Sequence, residues 1–145
     1  MPPLSWIVGV FDQDFAFHAL AFDDPALQPE RTGLFPQVKS GGHLFWGYIW
    51  KDGELTPVTA ARKRTTRDAD GLAPLGIEME LDDARGRSFA IRGDVQARMP
   101  WQTWQNMNTF FCLTQWQCAG RTGYGDIQDV QFNAFSHHFA RGRAA

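Results

Sequence analysis

The sequence predicts an all-β protein, an antiparallel up-and-down β-barrel of about eight strands, with a two-sheet β-sandwich as the alternative. Apolar and polar residues alternate with a period of two over most of the chain. Turn residues interrupt this alternation at short intervals. Aromatic residues, which are enriched in strands, make up 14% of the chain. Four hairpins in series close most easily into a barrel, because closure removes both sheet edges.

The predicted strands form four consecutive pairs, each joined by a short turn. Eight strands leave an interior just wide enough for side chains or one small ligand. In order, the strands are Ser5–Phe11, Phe15–Phe22, His43–Lys51, Glu54–Lys63, Pro74–Leu81, Ser88–Ala97, Thr109–Ala119 and Tyr124–Phe132.

The first two hairpins place the most informative aromatic residues. In the first hairpin, His18 faces Val8 if the turn has three residues and Ile7 if it has two. Asp52-Gly53 is a strong signal for a two-residue turn in the second hairpin. That register puts three large rings on one face, either as a core layer or as one wall of an aromatic cavity: Trp46, Tyr48 and Trp50.

The third hairpin, which turns at Asp82–Gly86, has one buried face and one wet face. Its apolar face carries Ile77, Met79, Leu81, Phe89 and Ile91. Charged residues that can pair across strands occupy the other face, and we expect them at the surface: Glu78, Glu80, Arg87 and Arg92.

The fourth hairpin is predicted to turn at the "GRTG" that starts at Gly120, with Gln117 opposite Asp126. One face is then polar, with Gln115, Gln117, Tyr124, Asp126 and Gln128. The other face is apolar, with Cys112, Trp116, Cys118 and Ile127. The polar row is either a solvated face or a set of hydrogen-bonding groups around an apolar ligand.

Two stretches lack strand patterning. The connection Asp23–Gly42 holds several prolines and a candidate helical turn at Asp24–Glu30, and its length is typical of a functional lid. We expect it to cover one mouth of the barrel. Arg98–Asn108 is the second irregular stretch and carries Trp101 and Trp104.

Length, charge and cysteine spacing limit the functional classes. The 145 residues fit one domain, residues 1–145, and the net charge of −2 argues against nucleic acid or an anionic membrane as a partner. No signal peptide or membrane helix is expected. Cys112 and Cys118 would lie about 20 Å apart on one strand, too far for a disulfide. Free thiols fit a reducing compartment, so we expect a cytoplasmic protein.

His18 is the best candidate acid or base, because it is the only strand-embedded side chain that titrates near neutral pH. It can equally be a hydrogen-bonded core residue. The other histidines, His43, His137 and His138, do not form a metal-ligand cluster, and no phosphate loop, dinucleotide fingerprint or nucleophile elbow occurs. We therefore expect no metal and no cofactor.

Several stretches together resemble the lipocalin-like domain of the carotenoid 1,2-hydratase superfamily, in particular the C-terminal half of two-domain relatives. They are "SWIVGVFDQDFAFHALAF" at Ser5, "GYIWKDGELTPV" at Gly47, the Glu78–Arg92 hairpin that leads into "IRGDV", and "GRTGYGDIQ" at Gly120. The chain departs from the family where Gln128 replaces a common Glu, and in having one such domain where relatives usually have two.

The resemblance implies a lipocalin-like barrel and cofactor-free chemistry, as a lyase, hydratase or isomerase, on a hydrophobic or aromatic small molecule bound inside the barrel. We expect His18 as general acid or base, Tyr48 as a hydrogen-bond donor and Asp126 as an orienting group or base. The expected substrate-binding walls are Trp6, Phe17, Trp46, Trp50, Gln115, Trp116 and Tyr124. Since relatives pair two such domains, we expect a homodimer. A non-catalytic carrier, or a structural domain with the aromatics in its core and dimer interface, would share these features.

Overall fold

Eight antiparallel strands form a closed barrel in which each strand pairs with the next and the last pairs with the first. The structure is a computed structural model that describes residues 3–27 and 43–137. The predicted fold class is confirmed, and the two-sheet alternative is wrong. The strands are β1 (Leu4–Asp12), β2 (Phe15–Phe22), β3 (Leu44–Lys51), β4 (Glu54–Arg67), β5 (Pro74–Asp83), β6 (Ser88–Trp104), β7 (Met107–Cys118) and β8 (Arg121–Phe132).

The stretch Arg98–Asn108, predicted to be irregular, is a long hairpin instead. Strand β6 continues to Trp104 and β7 begins at Met107. The pairing of these strands is interrupted between Val95 and Ala97 and again between Gln102 and Trp104. Each bulge shifts the inward and outward alternation by one residue, so the sequence loses its period of two although the chain remains extended.

The first hairpin combines a two-residue turn with the strand register expected for a three-residue turn, and the second hairpin has the predicted register. Val8 pairs with His18, the partner expected from a three-residue turn, but Asp12 pairs with Phe15, so the extra residue is a bulge within β1. In the second hairpin the predicted register is confirmed, with Lys51 opposite Glu54. Asp52 and Gly53 both have positive φ, as a two-residue hairpin turn of this kind requires.

The predicted register of the fourth hairpin is wrong. Cys118 pairs with Arg121, so the turn is Ala119-Gly120 rather than "GRTG". Ala119 has a φ of 48°, a conformation that alanine seldom adopts, so this residue carries no turn signal. Gln115 consequently faces Tyr124 instead of Gln128. The observed register differs from the predicted one by an even number of residues. Every side chain therefore stays on its predicted face, and the polar and apolar faces are unchanged.

The segment after β2 is described only in part. Asp23 and Asp24 are buried and a turn follows at 25–27, whereas the rest of the predicted lid and helical turn lies outside the described residues. A short helical turn at 133–137 follows β8 and was not predicted. Within the described ranges, no helix has the length and apolar character needed to cross a bilayer.

Trp116 is the centre of the apolar interior and is 0% exposed. Its Nε1 donates to the backbone carbonyl of Val8 at 2.9 Å. Two glycines make room for its ring, because a Cβ on Gly9 would lie 2.8 Å from Cδ1 of Trp116 and one on Gly93 would lie 2.4 Å from Cζ3. Larger residues at these two positions would displace the indole, so the glycines are part of the core packing.

Candidate functional site

Most of the predicted site residues lie on the outside of the barrel. Of the ten, only Phe17 and Trp116 belong to the buried core. Strand alternation points the others outward, because their neighbours, such as Ile7 and Ile49, fill the interior. The expectation of a site inside the barrel is therefore wrong for Trp6, His18, Trp46, Tyr48, Trp50, Gln115, Tyr124 and Asp126.

The barrel nevertheless brings the three predicted catalytic residues into one outer row. His18 pairs with Tyr48 on β3 and with Val8 on β1, and Val8 pairs with Asp126 on β8. Indole rings flank the row on β1 and β3. We call the following set the outer aromatic face: Trp6, His18, Trp46, Tyr48, Trp50 and Asp126.

His18 is held between two indoles. Its ring stacks on Trp6 with centroids 5.5 Å apart and meets the edge of Trp46 at 4.6 Å. Nε2 of His18 is buried and has no hydrogen-bond partner among residues 3–27 and 43–137. Burial lowers the pKa of His18 below its ordinary value of 6.5, while the negative charge of Asp126 acts in the opposite direction. The lowered pKa favours the neutral imidazole, in which one ring nitrogen accepts a hydrogen bond and the other donates one.

Polar side chains on β3, β7 and β8 form hydrogen bonds or ring contacts on the same outer side of the barrel. Nε2 of Gln128 donates to Oδ2 of Asp126 at 3.1 Å, which fixes the carboxylate. Nε2 of Gln115 donates to the Tyr124 hydroxyl at 3.1 Å. The exposed Tyr48 ring packs against Trp46 with centroids 6.2 Å apart. Together these groups offer an imidazole base, a carboxylate and phenolic donors on an aromatic surface.

Exposed apolar side chains extend the outer aromatic face onto the neighbouring strands. Leu113 on β7 is 65% exposed and Tyr124 on β8 is 63% exposed, and Val10 and Met99 are also exposed. Val10 pairs with Tyr124 and Leu113 pairs with Asp126, and clustered exposed apolar side chains are characteristic of a binding or interaction surface.

A second group of functional residue types lies inside the barrel and was missed by the sequence analysis. Oδ2 of Asp129 accepts from Nη1 of Arg67 at 2.6 Å, and Oδ2 of Asp23 accepts from Nη2 of Arg67 at 3.2 Å. Lys63, which is 0% exposed, also pairs with Asp23. We call the following residues the buried charge network: Ser5, Asp23, Lys63, Thr65, Arg67, Asp129 and Gln131.

The electrostatics of the buried charge network favour the ionised state. Burial alone would raise the pKa of Asp23, but the charges of Lys63 and Arg67 outweigh it and lower the pKa to about 2. All four charged side chains are shielded from water. Each charge is neutralised by another within the network. The buried charge network therefore affects the stability of the fold rather than catalysis.

A groove of about 820 Å³ crosses the outer surface from β4 to the start of β8. Its charged walls include Arg62, Glu80 and Arg92. Glu80 pairs across strands with Arg62, as expected. Arg92 instead pairs with Asp94 on its own strand, and Arg87 with Asp83 four residues earlier, so the expectation of pairing across strands is met for Glu80 and is wrong for the two arginines. In the part of the chain that is described, no three His, Cys, Asp or Glu side chains are grouped so as to hold a metal ion.

Comparison with solved structures gives one fold relative, kievitone hydratase from Nectria haematococca. The two share a TM-score of 0.51 and 13% sequence identity over 90% of this chain. The chain spans 39% of the length of that hydratase. At this identity the likeness concerns the fold alone, and it agrees with the predicted antiparallel barrel.

Comparison with curated proteins gives no match. Comparison with family models matches residues 1–134 to a domain of unknown function, DUF7064. Since this match covers nearly all of the 145 residues, the chain belongs to the DUF7064 family.

Proposed function

We propose that the outer aromatic face is the binding surface of a cofactor-independent lyase, hydratase or isomerase for hydrophobic or aromatic small molecules. The observation that carries this proposal is the free Nε2 of His18, buried between Trp6 and Trp46 on an otherwise exposed apolar surface. A buried polar atom without a partner lowers stability, so its retention suits a role in binding or proton transfer. Substrates of the isoprenoid, polyketide or aryl type fit the aromatic walls.

In the hydration direction, water is the co-substrate and no electrons are gained or lost. The water oxygen forms a bond to one carbon of a double bond, and the proton that water loses passes to the imidazole of His18. The other carbon receives a proton, which His18 returns. The Tyr48 hydroxyl would donate a hydrogen bond to charge that develops on the substrate, and Asp126 would stabilise the imidazolium while His18 carries the proton.

An open surface excludes water poorly, so the proposed site needs a second wall. A second copy of this barrel, or another lipocalin-like barrel, would provide it by covering the exposed apolar patch. The exposure of Leu113 and Tyr124, together with the greater length of kievitone hydratase, supports this arrangement. Any contribution of the covering barrel to the site would come from its facing side chains.

The dimer has its own test. Light scattering at tens of micromolar should give twice the chain mass, and Leu113→Glu should give the monomer because it buries a charge at the interface. Leu75→Glu is the matched control, since Leu75 is also exposed but lies on β5. A wild-type monomer, or dissociation by both variants alike, would contradict the homodimer.

The catalytic test uses kievitone, the compound in the name of the fold relative, together with simple isoprenoid and aryl alkenes. Mass spectrometry follows the gain or loss of one water. His18→Gln should lower turnover by about 10²–10⁴-fold because it removes the titrating nitrogen. Tyr48→Phe keeps the ring and should lower turnover by about 10-fold or more. Full activity of folded His18→Gln on a compound that the wild type turns over would end the proposed role of His18.

A non-catalytic carrier of a hydrophobic ligand is the second candidate, favoured by the predominance of apolar side chains on the exposed patch. A carrier would bind the same compounds without changing their mass. In that case Trp6→Ala should weaken binding, because the indole supplies contact area, whereas His18→Gln should leave affinity within about 2-fold. Binding without turnover across the panel would favour the carrier over the enzyme.

A further inference from the structure

The groove of about 820 Å³ on the outer side of β4 to β8 is lined by a different set of residues from the outer aromatic face. No residue of that face lines the groove. Binding in this groove is therefore independent of the reaction proposed above.

Small residues account for this groove on the outside of a barrel. Ala90 lines it opposite Glu80 on the neighbouring strand, and the Ala119-Gly120 turn lines it beside the start of β8. Because these residues carry at most a methyl group, the longer side chains around them stand higher and form the walls. An apolar base with polar groups around it is typical of a site for a small organic ligand.

A row of polar side chains crosses the groove from β4 to β7. Arg64 is opposite Glu78, Glu78 is opposite Arg92, and Arg92 is opposite Gln117. All four residues are exposed and line the groove. Directly opposite residues on one face have Cβ atoms about 4.5–5.5 Å apart, so the single acidic residue of this row has an arginine on each side.

Positive charge is in excess in the groove, although the whole chain has a net charge of −2. Two glutamates line the groove, Glu78 and Glu80, against four arginines. The arginines are Arg62, Arg64, Arg92 and Arg121. A cleft with one predominant sign of charge concentrates ions of the opposite sign, so the groove favours an anion.

Arg64 is the arginine of this set whose donors are unused. The other three each pair with an acidic side chain. Within the described ranges Arg64 forms no hydrogen bond or ion pair, although Glu78 is opposite it. A guanidinium presents its donors in a planar fork that matches the two oxygens of a carboxylate. A carboxylate can therefore bind Arg64 without breaking an ion pair of the protein.

We propose that this groove binds an aromatic carboxylate, whose oxygens accept hydrogen bonds from Arg64 and whose ring lies over Ala90. Its volume is within the range of about 300–1,000 Å³ that drug-sized ligands occupy. Since the walls are exposed to water, salt and solvent screen the attraction, and a two-ring carboxylate should bind with a dissociation constant of about 1 mM.

The test uses three compounds with the same naphthalene ring: the anion 2-naphthoate, the neutral 2-naphthylmethanol and the cation 2-naphthylmethylamine. Nuclear magnetic resonance would follow the methyl group of Ala90 in the full chain. 2-Naphthoate should shift this signal and bind about tenfold more tightly than the alcohol, and the amine should bind most weakly. Equal affinities of the acid and the alcohol, tighter binding of the amine, or no shift up to about 10 mM would overturn the proposal.

Two variants should change the affinity for 2-naphthoate in opposite directions. Arg64→Met keeps an extended side chain and should remove the tenfold advantage over the alcohol, whereas Glu78→Gln removes a like charge and should strengthen binding by about 2- to 3-fold. Both residues are exposed, so neither change disturbs the core.

Arg85→Met is the matched control, since Arg85 is exposed and does not line the groove. It should leave the affinity for 2-naphthoate within about 2-fold of the wild type. Persistence of the tenfold advantage in Arg64→Met, an equal loss in Arg85→Met, or weaker binding to Glu78→Gln would contradict recognition of the carboxylate by Arg64.

Discussion

The two ends of the barrel interior are filled by opposite chemistry. The end that carries the short hairpin turns is packed with rings, including Phe15, Phe17 and Trp116. The other end holds the buried charge network, in which Lys63 and Arg67 neutralise Asp23 and Asp129. The interior of one barrel is therefore filled by dispersion contacts between rings at one end and by paired charges at the other.

The difference matters because substitutions lower the stability of the two ends in different ways. Apolar packing loses stability in proportion to the volume that is removed. A charge network loses little when a whole pair is replaced by apolar residues of similar size, but much when one partner is removed and the other stays buried. Single and paired substitutions at the charged end therefore distinguish the two behaviours.

The largest effect is expected for Lys63→Met. This change leaves Asp23 with Arg67 and Thr65 as partners but removes the closest cation, and the free energy of unfolding should fall by about 3–5 kcal/mol. Urea denaturation measures it. The matched control is Arg85→Met, which breaks the exposed pair with Glu54 and should change stability by less than about 1 kcal/mol.

The double variant Lys63→Met/Asp23→Leu sharpens this result. It removes both charges, so it should be more stable than Lys63→Met alone despite carrying one more substitution. Additive losses from the two changes would show that the network behaves like ordinary packing, and the contrast between the two ends would then be wrong.

At the ring-filled end, Trp116→Leu should lower the free energy of unfolding by about 3 kcal/mol. The change leaves a cavity beside Gly9 and Gly93 and removes the hydrogen bond to the Val8 carbonyl. Trp104→Leu is the control, because Trp104 is 66% exposed and should shift stability by no more than about 0.5 kcal/mol. Equal losses at the two positions, again from urea denaturation, would place Trp116 outside the cooperative core.

The ring-filled end was largely predictable from sequence, and the charged end was not. Alternation placed Leu81 and Phe89 inside correctly, since apolar residues on one face of a strand have few other places to go. The predicted fourth strand ended at Lys63, whereas β4 continues to Arg67. A fourth strand extended to Arg67 would have placed Lys63, Thr65 and Arg67 on one face. On the eighth strand, Asp129 and Gln131 lie on the same face as the inward residue Ile127, so alternation would have placed them inside as well.

For the candidate site, the sequence predicted which residues share a face but not which side of the barrel that face occupies. Trp46, Tyr48 and Trp50 were correctly placed together opposite Ile49. Aromatic rings are common both in cores and on binding surfaces, so composition could not distinguish inside from outside. The small inward residues Gly47 and Ala19, opposite each other on β3 and β2, were the available signal that the large rings point outward.

Acid should weaken the charged end selectively. The folded pKa of Asp23, about 2, is below its unfolded value near 3.9, so its contribution to stability is present above pH 4 and is lost as pH falls towards 2. The loss should be about 2 kcal/mol, measured by urea denaturation at pH 5 and pH 2.5. Asp23→Asn should have a flatter profile over this interval. An unchanged slope in that variant would assign the acid sensitivity to other carboxylates.

The smallest effect is expected outside the barrel, at a polar atom that has no partner. Nε2 of His18 is buried without a hydrogen bond among the described residues, so His18→Phe removes an unsatisfied group while keeping a ring between Trp6 and Trp46. Stability should stay the same or rise by up to about 1 kcal/mol, the opposite sign to Lys63→Met. Urea denaturation of the two variants measures the sign of each change in stability. A loss above about 1 kcal/mol would mean that His18 supports the fold, and the unpartnered nitrogen would no longer argue for a functional role.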